Sequence, residues 1–199
     1  MRFFKLLFLL SLLQACATNS PIPTANKPID NSAIQKHLQS IATIQSFNIK
    51  GRIGVQTDSK GFSGSLNWQH HAEIDDIAIF SPLGGQVASI KKTASLVTLE
   101  DTKGNSISAT DAETLTQSTL GWKLPLTGLA DWAIGRPTNS PVQSSTADNL
   151  GRLTNLKQDD WDIEYSDYAE VDGMQLPNKV YLRSPKVNIK LIVENRSLP

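Results

Sequence analysis

From Phe47 to Ala109 the chain alternates apolar and polar residues, the period of strands buried on one face. Phe47, Ile49, Gly51, Ile53 and Val55 fall on one side of the first run, while Asn48, Lys50, Arg52 and Gln56 take most of the other. Gly64, Leu66 and Trp68 alternate with Ser63, Ser65, Asn67 and Gln69, and Ile77 and Ile79 continue the pattern. Extended runs are predicted over Ile74–Phe80 and Gln86–Lys92, then over 95–99 and around Ile107. Asp58-Ser59-Lys60-Gly61 and Lys103-Gly104-Asn105 supply hairpin turns. Strands resume at 152–158, 161–168, 176–184 and 186–194, with Asp172-Gly173 turning between two of them.

Helical spacing occurs at three places. Ser32 starts a helix with Gln35 as its capping-box partner, and Ile34, Leu38, Ile41 and Ile44 form one apolar stripe. Thr110 and Glu113 read as a second capping box, for a short helix that buries Ala112 and Leu115 and is interrupted by Gly121-Trp122-Lys123-Leu124-Pro125. Thr127 can cap a third helix carrying Leu129, Trp132 and Ile134, closed by Gly135 and Pro137. Residues 138–149 read as loop. Ten or eleven strands with tight connections predict a mainly β domain with helices, an incomplete antiparallel barrel whose apolar concave side is partly covered by those helices. The pattern alone does not distinguish a hollow interior from a filled one.

One turn breaks the usual rule of polar tips. In Phe80-Ser81-Pro82-Leu83-Gly84-Gly85-Gln86, Pro82 pre-sets φ at the second position of the turn, and the glycines release the chain into the next strand. A bare leucine, Leu83, is left at the tip. It either folds back onto the core or meets something apolar outside the protein.

The 199 residues carry zero formal net charge, and the longest basic run is Lys91-Lys92, so nothing in the electrostatics calls for nucleic acid. Cys16 is the single cysteine, which excludes a disulfide or a thiolate metal cluster within the chain. Arg2 and Lys5 precede the apolar residues 6–13, and Leu13-Gln14-Ala15-Cys16 follows. This resembles a bacterial lipoprotein signal, in which the cysteine becomes the acylated first residue. The expected division is a signal peptide over 1–15, an acylated N-terminus and tether with Pro21, Pro23 and Pro28 over 16–31, and a folded domain over 32–199. The apolar run falls far short of the roughly 20 residues that a membrane span needs. Ala17 stands where aspartate would be the usual inner-membrane retention signal, which favours the outer membrane.

Catalytic constellations are thin. His70 and His71 are neighbours in an extended run and point to opposite faces, so they cannot readily share a metal. Asp75-Asp76 and Asp159-Asp160 read as solvated residues at strand ends rather than as general acid and base. Gly61-Phe62-Ser63-Gly64-Ser65 lacks the spacing of a nucleophile elbow, and no phosphate-binding loop opens a helix. No enzymatic activity, cofactor or metal is expected. Trp68, Trp122, Trp132 and Trp161 read as core anchors, with Trp122 and Trp132 alternatively lining a lid.

Several stretches recur together in one order: His37-Leu38, Gly51-Arg52-Ile53-Gly54-Val55, Gly64-Ser65-Leu66-Asn67-Trp68-Gln69 and Ser81-Pro82-Leu83-Gly84. Asp111-Ala112-Glu113, Gly121-Trp122 with Leu124-Pro125, and Trp132 with Gly135 and Pro137 come next. Trp161 with Tyr165, Leu176-Pro177 and Ile189-Lys190-Leu191 complete the set. Behind a lipoprotein signal, this order resembles the outer-membrane lipoprotein receptor family LolB. The tail departs from it, with Asn195-Arg196-Ser197 where family members often carry a tryptophan.

The resemblance implies a monomeric receptor, lipid-anchored in the outer membrane and facing the periplasm. Such a receptor accepts triacylated lipoprotein cargo from the periplasmic carrier LolA and inserts it into the inner leaflet of the outer membrane, with no nucleic acid involved. It implies N-acyl and S-diacylglycerol groups on Cys16 and a helical lid over an apolar cavity. The candidates to line that cavity are Ile53, Leu66, Trp68, Ile79, Leu99, Trp132, Leu182 and Leu191. Leu83, flanked by Pro82 and Gly84, becomes a protruding membrane-insertion loop. The alternative is a structural outer-membrane lipoprotein that uses the same sheet, with a filled interior, as a protein-docking scaffold.

Overall fold

The computed structural model describes residues 31–120 and 125–199. Cys16, the tether and Gly121-Trp122-Lys123-Leu124 lie outside the described residues. Helix α1 (Asn31–Ile41) is followed by β1 (Ser46–Thr57), β2 (Gly61–His71), β3 (Ile74–Phe80), β4 (Gln86–Lys92), β5 (Val97–Asp101) and β6 (Ser106–Ala109). Helices α2 (Ala112–Leu120) and α3 (Leu126–Ala133) then precede β7 (Val142–Ala147), β8 (Leu153–Gln158), β9 (Trp161–Val171), β10 (Met174–Arg183) and β11 (Val187–Ser197).

All eleven strands form one antiparallel sheet in the order β6-β5-β4-β3-β2-β1-β11-β10-β9-β8-β7. Each half is a meander of sequential hairpins, because tight turns make sequence neighbours the cheapest partners. The halves join where β1 meets β11, from Asn48↔Ser197 to Thr57↔Val187. That pairing spans nearly the whole domain and brings the two apolar faces into one core, with Phe47, Ile49 and Leu66 beside Leu182, Ile189 and Leu191. The end strands β6 and β7 do not pair, so the barrel remains incomplete.

The alternating pattern is legible in the strands it predicted, although β5 lies two residues later than expected. The stretch 138–149 is a correction, since β7 forms within it. Its residues 142–146 are all exposed, so it carries no burial alternation and is held by backbone pairing with β8 at the sheet edge. Helix starts also shift. Asp111, not Thr110, caps α2 by accepting a hydrogen bond from the Thr114 N–H at 2.6 Å. Thr127 lies inside α3, which begins after Pro125 with no side-chain cap. Burial of Leu126, Leu129 and Trp132 holds that helix start in place of a cap. The departing tail is an ordinary continuation of β11, with Arg196 opposite Ile49.

Helix α1 lays Ile34, Leu38 and Ile41 against the core, and His37 joins them, its ring meeting Tyr168 edge-on at 6.3 Å. The helix is seated on the turn before β8, where Gly151 has φ +78°. A Cβ at Gly151 would lie 2.2 Å from the Ala33 carbonyl carbon, so backbone meets backbone. Gly151→Ala is therefore expected to destabilise the fold by about 1–3 kcal/mol, through the forced φ and the displaced helix together. Denaturant unfolding of the variant measures it, and an unchanged midpoint would show that α1 is not docked there.

Candidate functional site

The Leu83 turn is built as its residue types dictate. The Gly84 N–H donates to the Ser81 carbonyl at 2.9 Å, and the Ser81 N–H donates to the Gly85 carbonyl at 2.8 Å. Leu83 keeps a negative φ, as the third position of a type I turn requires, and Gly84 takes the left-handed conformation at φ +87°. A register shift at Ile79/Phe80 bends the hairpin just before the tip. Leu83 is 98% exposed, so it does not fold back. Residues 77–90 contain no charged side chain, and no ionic group would have to be desolvated if this tip entered an apolar phase.

Behind the tip, burial on the concave face grades along the strands. At the end nearer α1, Phe47, Ile49, Trp68, Ile77 and Ile90 are buried. Toward the Leu83 end, Ile53, Val55, Ile79 and Leu99 are only half-buried. Phe62 and Ile107 there are 38% and 46% exposed. Cross-strand pairing places these residues on one face: Val55 opposite Phe62, Ile79 opposite Leu66, and Leu99 opposite both Ile90 and Ile107. The opening belongs to the β1–β6 half. On the β8–β11 half, Leu156, Ile163, Leu182 and Ile189 are sealed at the same level.

The eight cavity candidates divide accordingly. Ile53, Ile79 and Leu99 lie in the half-open strip, whereas Leu66, Trp68, Trp132, Leu182 and Leu191 are packed in the core. Leu182 also contributes to a small recess of about 230 Å³ beside Gly54 and Tyr181. Phe62 and Ile107 belong to the strip but escape a reading that ranks positions by hydrophobicity alone. Their alternation phase could have found them, since each falls opposite an inward residue once register is known.

The cover over the closed half is fastened by polar contacts that the sequence did not reveal. Trp132, 1% exposed, donates its indole N–H to the Gln158 Oε1 at 3.0 Å. Gln158 is fully buried and donates from Nε2 to the Ser140 carbonyl at 2.6 Å. Trp132 is thus a core anchor pinned beneath α3. Arg196 donates to the carbonyls of Ala133 and Pro177, at 2.9 and 3.0 Å, tying the end of α3 to β10. Burial lowers its pKa to about 10, against a small opposing influence of Tyr168. Arg136 pairs with Asp131 at 2.6 Å and donates to the carbonyls of Ile41 and Ile44, tying α3 to the end of α1.

A second correction concerns Asp75, which is 2% exposed rather than solvated. Its Oδ1 accepts from the Trp68 indole at 2.8 Å and lies 2.7 Å from His70 Nδ1, while its Oδ2 meets Lys92 Nζ at 3.2 Å. Phe47 stacks on His70 at 4.8 Å and meets Trp68 edge-on at 5.0 Å. His71, on the opposite face, is exposed and bonds Ser46. Burial alone would raise the Asp75 pKa, but the hydrogen bonds from His70 and Trp68 and the charges of His70 and Lys92 outweigh it and hold the carboxyl below its ordinary value. Among the described residues, no three His, Cys, Asp or Glu side chains group as metal ligands, and no helix is long and apolar enough to cross a membrane.

Comparison with known proteins agrees with this geometry. The family described as Outer membrane lipoprotein LolB matches residues 45–195. The chain is 32% identical over 187 residues to an outer-membrane lipoprotein LolB of Pseudomonas savastanoi pv. phaseolicola, covering 94% of this chain and 91% of that protein. It is 31% identical over 199 residues to one of Nitrosococcus oceani, covering 99% and 98%. Among solved structures, a LolA superfamily protein from Nitrosomonas europaea superimposes with a TM-score of 0.54 at 10% identity, over 85% of this chain and 93% of that one. At that identity the likeness concerns the fold alone.

Asp75 sets an acid limit on stability. Its depressed pKa stabilises the fold fully above the ordinary carboxylate value, and that contribution is lost as pH falls through the folded-state value. Asp75→Asn is expected to cost about 1–3 kcal/mol at neutral pH, because the buried charge facing Lys92 and His70 is removed and one of its two accepting oxygens becomes an NH₂ donor. The gap from wild type should narrow in denaturant midpoints as pH falls below the ordinary carboxylate range. A gap that stays constant over that range would remove Asp75 from the acid response.

Proposed function

The chain belongs to the LolB family of outer-membrane lipoproteins, and on that premise we propose that it is the receptor that takes lipoproteins from the periplasmic carrier LolA and inserts them into the inner leaflet of the outer membrane. Cys16, outside the described residues, carries the acyl anchor in this reading. The acyl chains of the cargo lie along the half-open strip of Ile53, Val55, Ile79 and Leu99, under the edge of the helical cover. Leu83 enters the bilayer and brings the strip to the lipid. The continuity of that strip with an uncharged tip bearing a 98% exposed leucine carries this reading.

The energetics favour a partial shield over a sealed cavity. The sequence offers no nucleotide-binding motif, so transfer runs down a gradient of affinity for the chains. Complete burial of several acyl chains, at about 0.8 kcal/mol per CH₂, would amount to tens of kcal/mol and would prevent release. A strip that leaves its own residues half-exposed binds more weakly. Leu83 adds at most about 1.5–3 kcal/mol on insertion, too little to anchor the body but enough to orient its mouth toward lipid.

Transfer from loaded LolA to the purified protein, followed by release into liposomes, tests this assignment. Leu83→Glu should leave folding and uptake unchanged and reduce release by roughly 10-fold or more, because insertion energy is lost and a carboxylate must be desolvated. Release at the wild-type rate would refute the role given to Leu83.

A further inference from the structure

Helix α1 fixes where the chain before it leaves the domain. Turns in an antiparallel sheet alternate between its two ends, and the β1–β2, β3–β4, β8–β9 and β10–β11 turns share the end that carries Leu83. The β7–β8 turn and the start of β1 lie at the other end. Both ends of α1 are held there. Its first turn rests on Gly151 of the β7–β8 turn, where a Cβ would collide with the Ala33 carbonyl. Its last turn leads toward β1 through Ile41 and Ile44, whose carbonyls accept from Arg136 at 3.1 and 3.0 Å. Ile34 and Leu38 pack against the core. The chain therefore enters α1 at the end of the barrel opposite the exposed leucine.

Strand length sets the separation. Ser46 pairs with His71, and His71 with Ile74, so β3 starts level with the beginning of β1. From there β3 runs seven residues to Phe80, about 20 Å along the strand. A barrel tilt of about 45° still leaves about 14 Å of height between that end and the Leu83 turn.

The sequence before α1 has the reach to cover this distance. Fifteen links join Cys16 to Asn31 and extend to at most about 50 Å. Residues 17–30 contain Pro21, Pro23 and Pro28 and no glycine. A glycine-rich chain of that length averages only about 21 Å between its ends, whereas proline-rich sequence extends by about 3.1 Å per residue.

We propose that residues 17–30 are a spacer whose length lets the Leu83 end of the barrel reach the same bilayer that holds Cys16, so that cargo enters the receptor's own membrane. This rests on the receptor reading above and on the acyl anchor it gives to Cys16. A spacer too short to pass the barrel holds the α1 end against the bilayer and points Leu83 toward water. The anchor and Leu83 are two membrane contacts of one molecule, and their joint use requires a linker that spans the distance between them.

The test uses the full lipidated protein in liposomes, LolA loaded with a lipoprotein, and anchor-free acceptor liposomes of a different density. Deleting residues 18–29 leaves three links, about 10 Å, between Cys16 and Asn31 and changes nothing from Asn31 onward. Uptake from LolA should be unchanged. Insertion into the protein's own liposomes should fall roughly 10-fold or more, and insertion into the acceptor liposomes should not fall. Restoring the deleted length with unrelated proline-containing sequence should return insertion to within about two-fold of the full-length spacer. Undiminished insertion by the deletion variant, or no recovery on lengthening, would overturn the spacer and leave the receptor reading standing. An equal loss into both sets of liposomes would also overturn the spacer. Failure of the unaltered protein to take cargo from LolA would overturn the receptor reading itself.

Discussion

The end of α3 is held by groups that satisfy carbonyls no helix can satisfy for itself. The last turn of a helix leaves its C=O groups without internal partners and carries partial negative charge. Arg196 reaches from β11 to the Ala133 carbonyl, and Arg136 reaches from the residues after α3 to the end of α1. Trp132 is pinned from below by Gln158. These contacts fix α3 over the β7–β11 half of the sheet and leave the β1–β6 half under a lighter cover. The asymmetry of the concave face follows from that placement.

An unclosed sheet makes the asymmetry possible. Because β6 and β7 do not pair, the apolar face cannot be sealed by the strands alone, and the helices cover only part of it. Ile53, Val55, Ile79 and Leu99 remain half-exposed, and that area is withheld from stabilising the fold. Such a concession is common where a binding surface must stay accessible. At the far end of the same half, Asp75 with His70, Trp68 and Lys92 forms a polar floor that bounds the apolar strip. Removing one member of that floor would leave the others buried without partners, so it is costly to change piecemeal.

On the receptor reading proposed above, function depends on a balance rather than on a tight site. Under that reading, the strip binds apolar chains only as well as its open side allows, and the Leu83 turn offers a route out of it. A groove on the closed half is of another kind, charged and lined by turn residues. The two surfaces differ in what they present, one apolar and the other charged.

The alternation of Phe47 through Val55 and of Gly64 through Trp68 was sufficient to read strands, because side chains on a pleated strand must choose between core and water. The Ser81–Gly84 turn was equally legible, since proline and glycine act on the backbone directly. Strand β7 was not, because an edge strand exposed on both faces leaves no periodic trace in residue type. Asp75 was misread for a related reason: this carboxylate is buried because Trp68 and His70 of β2 and Lys92 of β4 converge on it from the two flanking strands, and no local pattern records that convergence. The sequence by itself therefore determined the strands other than β7, the helices to within their starts and the leucine at the tip, all set by neighbours a few residues away, and the family through the order of its motifs. Tertiary structure alone decided which half of the concave face stays open, which carboxylates are buried and where the charged groove lies, because those outcomes depend on the pairing of β1 with β11 and on where α3 comes to rest.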